Sequence, residues 1–384
     1  MEESIKNDFL EFYGEHNISP VSQDISDISI HYKRREKLYR QLGMPILLFK
    51  DREMLEVGPG GGYNSLAFFN WGCAHLDLVE ANPSGIADMK RLFDLQEVNK
   101  EKYTIIESRI EEFSTEKKYD IVIAESFLQN LNNQQEVIDK LKKLVKMNGI
   151  IVVTTSDETS FYIEQLKRLI ANAMVANIDN YDEKVKCLVK VFEPQLKTLR
   201  GVSRSAECWV QDQLLNPVAV NDTSLSLIEA IEMFGSDCDV LSTAPRMFHD
   251  YSWYKDIWFN EKDDYSKQFC KDGVNLILAN MENELHMDLK GEELKKTICD
   301  QKKYASAFEK EFDYQYIDKI IEGNLSIQAL LKGQSDRLDK ILEEISLALH
   351  DVIENGVEDF SFEKYPEFFR AFGRTQQYIS FIKK

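Results

Sequence analysis

Five short apolar runs, most of them separated by helical stretches, occupy residues 50–156. That alternation restricts the fold more than any other feature. The runs are Met54-Leu55-Glu56-Val57, His75-Leu76-Asp77-Leu78-Val79, Tyr103-Thr104-Ile105-Ile106, Tyr119-Asp120-Ile121-Val122-Ile123-Ala124 and Gly149-Ile150-Ile151-Val152-Val153-Thr154-Thr155. They are β-branched and nearly continuous, the pattern of strands buried on both faces. Helical periodicity fills Asn64–Trp71, Ser84–Val98 and Gln134–Val145. Strand–helix alternation predicts an open, doubly wound α/β sheet, mostly parallel, with helices on both faces.

The flanks read differently. Residues 1–45 have helical spacing, with Asp8, Phe9, Leu10, Phe12 and Tyr13 early and Leu38 and Leu42 later, ended by Gly43 and Pro45. Beyond 157, amphipathic helices are predicted at Ser160–Ala176 and Asp182–Leu199, then a polar, aromatic loop at Ser203–Pro217. A further helix at Thr223–Phe234 stops at Gly235, and Cys238–Thr243 reads as a sixth strand. Residues 261–360 are charged and mostly helical. The segment 376–383 mixes β-branched and aromatic residues as a strand does. An isolated strand leaves its backbone groups unpaired, so this one is expected to return to the sheet begun near residue 54. Deleting it is expected to unfold or aggregate the protein.

Composition narrows the partners. With 384 residues, the length suggests two or three structural units. Lys and Arg number 47 against 66 Asp and Glu, a net charge of −19 that repels phosphate backbones and anionic lipid. Nucleic acid and membrane are therefore not expected partners. No apolar run reaches 18 residues, and the start, Met1-Glu2-Glu3-Ser4, is acidic and unlike a signal peptide. The six cysteines are scattered without a CxxC pair, which suits free thiols in a reducing cytoplasm and no metal site.

The chemistry centres on Leu55-Glu56-Val57-Gly58-Pro59-Gly60-Gly61-Gly62-Tyr63-Asn64. A glycine turn between strand and helix lets backbone approach a ligand and aims a helix N-terminus at it. The position where a dinucleotide fingerprint needs a small residue holds Tyr63. Glu56 can accept from an ammonium group, and Glu80, at the end of the next run, can accept both hydroxyls of a ribose. Together they suit an adenosine carrying an amino acid better than a pyrophosphate.

On these residues the chain resembles the class I S-adenosylmethionine-dependent methyltransferases over about 50–156. The resemblance implies a Rossmann-like, mostly parallel seven-stranded sheet with large helical insertions and an antiparallel C-terminal strand. It implies S-adenosyl-L-methionine as cofactor, cradled by Glu56, Gly58, Gly60, Gly62 and Asn64, with Glu80 and Ala81 at the ribose. Ser108-Arg109-Ile110-Glu111 occupies the adenine-contacting turn; the family often carries Asp where Arg109 stands, which favours the Ile110 backbone for that contact. Glu125 and Ser126 follow the fourth strand, where sulfonium and acceptor meet. The implied organisation is an N-terminal helical segment (1–48), a cofactor-binding core (49–156), a helical insertion or acceptor cap (157–236), a sixth strand with an acceptor loop (237–260), a second helical insertion (261–370) and the returning strand (371–384).

The acceptor side is less constrained. An oxygen acceptor needs a base. His249, just past the sixth run and followed by Asp250 to orient it, is one candidate, and Glu125 is another. Gln129 and Asn130 are candidates to position the acceptor or the adenosine. The basic cluster around His31, Arg34 and Arg35 can bind an anion, and Tyr32 can close over the cofactor. Arg204 and Arg246 can read a phosphate or carboxylate. Trp209, Trp253, Tyr254 and Trp258 offer aromatic faces for a sugar or planar ligand. Phe234–Asp256 and the ending Gly373-Arg374-Thr375-Gln376-Gln377-Tyr378 resemble a subgroup of bacterial methyltransferases from surface-glycan gene clusters. That second resemblance implies a sugar, nucleotide-sugar or related glycan precursor as small-molecule acceptor. No Asn-Pro-Pro-Tyr motif follows the fourth run, which disfavours methylation of bases. The rival readings are a non-catalytic cofactor-binding scaffold and a nicotinamide-dependent oxidoreductase. A homodimer through the helical additions stays open.

Overall fold

The computed structural model describes residues 12, 16, 23–216, 224–256, 262–281, 285, 287, 290–358 and 360–384. The expected helical positions Asp8–Leu10 and Tyr13, and Trp258, lie outside them. The seven strands are β1 (Glu53–Val57), β2 (His75–Glu80), β3 (Tyr103–Glu107), β4 (Tyr119–Ala124), β5 (Val145–Thr155), β6 (Cys238–Ala244) and β7 (Gln377–Lys383), in the order β3-β2-β1-β4-β5-β7-β6. β1 to β5 pair in parallel, and β7 is antiparallel to both β5 and β6. The sheet is the Rossmann-like, mostly parallel one that the alternating runs imply, and segment 376–383 does supply a strand.

Most boundaries shift by a few residues, and the expected loop at Ser203–Pro217 instead holds a helical stretch at Ala206–Trp209 and Val210–Leu215. The helix before β5 ends at Leu144, and β5 begins four residues earlier than the apolar run, at Val145. Lys146 and Asn148 flank Met147 with polar side chains, and the exposed Met147 alone does not extend the apolar run. The long helices start two residues and one residue earlier than their periodicity suggests, at Glu158 and Tyr181. Their caps, Asp157 and Asn180, accept from backbone N–H groups of the first turn.

On one face of the sheet lie α1 (Ile28–Gln41), α2 (Ser65–Asn70) and α3 (Pro83–Leu95). They share a core with Phe49, Met54, Leu76, Leu78, Ile121 and Ile123. α3 starts where Asn82 accepts from Ser84 N, with Pro83 in its first turn. The other face carries α4 (Gln134–Leu144), whose Val137, Ile138 and Leu141 pack with Leu55, Val122, Val153, Phe234 and Phe381.

A separate apolar core belongs to the helices between β5 and β7. It joins α5 (Glu158–Met174) and α6 (Tyr181–Leu196) to three helices at Gly291–Glu311, Gln315–Leu331 and Asp336–Asn355. A buried polar knot fixes their register. Tyr162 donates to Asn324 Oδ1 at 2.6 Å, and Asn324 Nδ2 donates to Leu342 O and Ser346 Oγ, each at 2.7 Å. Fully paired, such a group specifies one packing, whereas an unpaired one would oppose it.

Phe381 is 1% exposed and stacks on Phe234 at 3.9 Å between ring centres, so it ties β7 to the helix layer beneath. Phe381→Ala is expected to cost about 3–5 kcal/mol in urea denaturation, the usual range for a buried phenylalanine. A loss below about 1 kcal/mol would show that β7 does not anchor this layer.

Candidate functional site

The carboxyl ends of β1, β2 and β4 converge on one cleft, the place where open parallel sheets bind ligands. The glycine turn links β1 to α2. Gly58, Gly60 and Gly62 all have positive φ, +68°, +55° and +76°. At Gly62 a Cβ would stand 2.6 Å from Met89 Cγ and 2.9 Å from Phe93, so bare backbone is required. At Gly58 a Cβ would stand 3.1 Å from the Phe127 ring. Bare backbone at Gly62 lets the turn pack on α3, and at Gly58 it makes room for the Phe127 ring.

Two buried carboxylates bracket it. Glu56 Oε2 accepts from Ser65 Oγ at 2.5 Å, and burial pushes its pKa up to about 8. Glu80 accepts from Gly60 N at 2.7 Å and from Asn82 N at 2.8 Å. Burial raises its pKa although both N–H groups pull it down. Ser108 N donates to Glu80 O at 3.1 Å, which brings the turn with Arg109 and the buried Ile110 beside that carboxylate. Ala81 follows directly. An acidic pair around a bare turn has acceptors for an ammonium and for vicinal hydroxyls, so the residues fit S-adenosylmethionine.

A third carboxylate fastens α1 to the cleft. Glu125 Oε1 accepts from Arg35 Nη2 and from Tyr39 OH, each at 2.7 Å, and Oε2 accepts from Asn64 Nδ2 at 3.2 Å. Arg35 and Glu125 are 6% exposed. One turn before Arg35, His31 donates Nε2–H to Tyr63 O at 2.9 Å, and burial and the neighbouring Arg35 lower its pKa. The basic cluster thus splits. Arg35 turns inward, while Arg34 faces solvent. His31, Arg35 and Tyr39 stand four apart on one helix face, a spacing readable in the sequence beforehand. Glu125 is placed as an anchor, its oxygens taken by three donors, rather than as an open proton acceptor. Ser126, at φ +65°, accepts from Gln376 Nε2 at 3.3 Å.

The remaining candidates disperse. His249 is exposed on the loop after β6, and its backbone exchanges two 2.7 Å bonds with the Gln268 side chain. Asp250 Oδ1 accepts from Ser252 N and Oγ, so that oxygen serves a turn rather than the His249 ring. β6 lies four strand spacings from β1, about 19 Å at roughly 4.8 Å each. Tyr32 lines a shallow cavity of about 260 Å³ with Leu66, Phe69, Cys73 and Lys102, beyond α2 from the glycine turn. Arg204 pairs with Asp212 at 2.9 Å, and Arg246 is exposed. Asn130 and Gln129 follow Phe127 in a short 3-10 turn, Gln129 with its Oε1 buried. Trp209 packs on Phe192 in the helical core, while Trp253 and Tyr254 are exposed. Among the described residues no three metal-ligating side chains cluster, and no helix is long and apolar enough to cross a membrane.

Comparison with known proteins follows the same residues. Positions 31–187 match a family described as a methyltransferase domain. A ubiquinone biosynthesis O-methyltransferase from Rickettsia akari (strain Hartford) is 28% identical over 148 residues, 38% of this chain and 51% of that protein. The one from Rickettsia bellii (strain OSU 85-389) is 28% identical over 148 residues, 38% of this chain and 53% of that protein. The chain spans about half the length of these curated relatives. Among solved structures, the N-methyltransferase NodS from Bradyrhizobium japonicum WM9 in complex with S-adenosyl-L-homocysteine is 18% identical. The overlap covers 38% of this chain and 74% of that one, with a TM-score of 0.31.

Two predictions follow from the buried carboxylates. Between an unfolded pKa near 4.5 and a folded one near 8, the folded state holds a proton on Glu56 that the unfolded chain releases, so its contribution falls as pH rises through that window. Glu56→Gln keeps an acceptor for Ser65 and is expected to match the parent's melting temperature near pH 5 and exceed it at pH 8.5. It is also expected to weaken S-adenosylhomocysteine binding at least tenfold by calorimetry. Equal melting curves at both pH values would contradict the burial argument. Glu125→Ala strands the Arg35 charge and is expected to cost about 3–5 kcal/mol in urea denaturation, much of it regained in the double variant Glu125→Leu with Arg35→Met.

Proposed function

We propose that the chain transfers a methyl group to a hydroxyl of a small acceptor, from the premise that residues 31–187 are a class I S-adenosylmethionine-dependent methyltransferase domain. The observation that carries this reading is the bare turn Gly58–Gly62 between the buried carboxylates Glu56 and Glu80. The bound cofactor supplies an electrophilic methyl group on a sulfonium. Glu56 would accept from the ammonium, Glu80 from the ribose hydroxyls, and the Ile110 backbone would meet the adenine. Phe127 over Gly58 and the α1 clamp through His31 and Arg35 would hold the cleft closed to water. In-line displacement then depends chiefly on alignment, which a rigid cleft provides.

An oxygen acceptor is supported by the relatives' description as O-methyltransferases. The surface-glycan resemblance of 234–256 and 373–378 supports a sugar or nucleotide-sugar precursor within that class. The test incubates purified protein and S-adenosylmethionine with hydroxylated sugars, nucleotide sugars and catechol-type phenols, and measures S-adenosylhomocysteine release. Turnover on a hydroxyl acceptor is expected, falling at least a hundredfold in kcat/KM for Glu80→Ala. Cofactor binding without turnover on any acceptor would identify the scaffold reading, and binding of NAD instead would identify the oxidoreductase.

A further inference from the structure

The segment that leads from the helical addition into β7 folds into a hook around Arg374. Arg374 N donates to Leu276 O at 2.8 Å, and its carbonyl accepts from the Gln377 side chain. Its Nη1 donates to Gln376 O. Gln376 Nε2 reaches Ser126 Oγ, and Tyr378 OH donates to Gln376 Oε1 at 3.1 Å. The hook thus runs from the addition to the residue following Glu125, at the open end of the sheet.

Arg374 is partly buried, and among the described residues it is paired with no carboxylate; its ionisable neighbour is Tyr378. Other inward arginines differ. Arg35 has Glu125, Arg168 has Glu309 and Arg204 has Asp212. Tyr378 also feels Arg35 and Glu125 electrostatically, and those two are already paired with each other at 2.7 Å. With Arg35 paired to Glu125, Arg374 is the cation here without an ion pair among the described residues, inside a chain of net charge −19. A half-buried cation without a counterion is costly, and an anion from outside offsets that cost. The position argues for the acceptor over the cofactor. β7 lies three strand spacings from β1 and its glycine turn, about 14 Å at roughly 4.8 Å each.

We propose that Arg374 forms an anion subsite that takes a phosphate or carboxylate group of the methyl acceptor. This rests on the methyltransferase reading and narrows its acceptor to an anionic one. Because the free chain is strongly negative, such an acceptor would be repelled without a dedicated cation, and the rigid hook pre-positions one.

The experiment titrates inorganic phosphate into the full chain saturated with S-adenosylhomocysteine, at about 0.15 M salt so that distant charges are screened. Phosphate binding is expected in the parent, at least tenfold weaker in Arg374→Gln and intermediate in Arg374→Lys, which keeps charge and bulk but not the planar fork. Affinity for S-adenosylhomocysteine is expected to change less than threefold in both variants. Absence of phosphate binding in the parent, or equal binding in Arg374→Gln, would overturn the subsite. So would a tenfold loss of S-adenosylhomocysteine affinity in Arg374→Gln with unchanged affinity for 5′-methylthioadenosine, since the anion would then be the cofactor's carboxylate. Failure of the parent to bind S-adenosylhomocysteine at all would instead defeat the methyltransferase reading, and the phosphate titration still reports on Arg374.

Discussion

The pairing of Glu125 with Arg35 is the interaction on which the cleft depends. It joins the end of β4 to α1, and through Tyr39 and Asn64 it reaches both the aromatic core and the start of α2. Removing two charges from water is expensive, and their attraction repays it only when the remaining donors and acceptors are satisfied. Here three donors converge on one carboxylate. The result is a fixed helix lying beside the glycine turn, with His31 bonded to the turn's own backbone.

That rigidity explains the division of labour among the acidic residues. Glu125 is spent on architecture. Glu56 and Glu80 are buried with backbone or hydroxyl donors as the partners shown, so they retain a demand for further donors. Burial raises the proton affinity of both. A ligand that brings an ammonium and two hydroxyls meets that demand, which a pyrophosphate cannot do.

Much of the sheet was legible in sequence because β1, β2 and β4 are buried on both faces and so read as continuous apolar runs, whereas the edge strand β3, expected to be buried as well, has no fully buried residue. The start of β5 was not legible, because Lys146 and Asn148 interrupt the apolar run there. The glycine turn with Glu56 and Glu80 was legible since bare backbone and paired carboxylates are written in residue type and order. Arg35 and Tyr39 were harder. Their role depends on which face α1 turns toward the sheet, and His31 and Arg34 looked equally plausible beside them. Arg374 was harder still, because its setting comes from residues far along the chain. His249 and Asp250 are adjacent in sequence, yet adjacency did not predict that Asp250 would close a turn on Ser252.

The placement of β7 between β5 and β6 has a consequence for time rather than for energy. Asp157 and Gln377, joined by a hydrogen bond, are 220 residues apart in the chain. Closing so long a loop costs little extra free energy, since each doubling of length adds only about 0.6 kcal/mol. The search, however, lengthens with the separation of contacting residues. The helices from 291 to 355 pack on their sequence neighbours, while α5 reaches across the chain to them through Tyr162 and Asn324. The edges of β5 and β6 close only when β7 arrives between them, so the strand order makes the joining of this sheet one of the longest-range events in the chain.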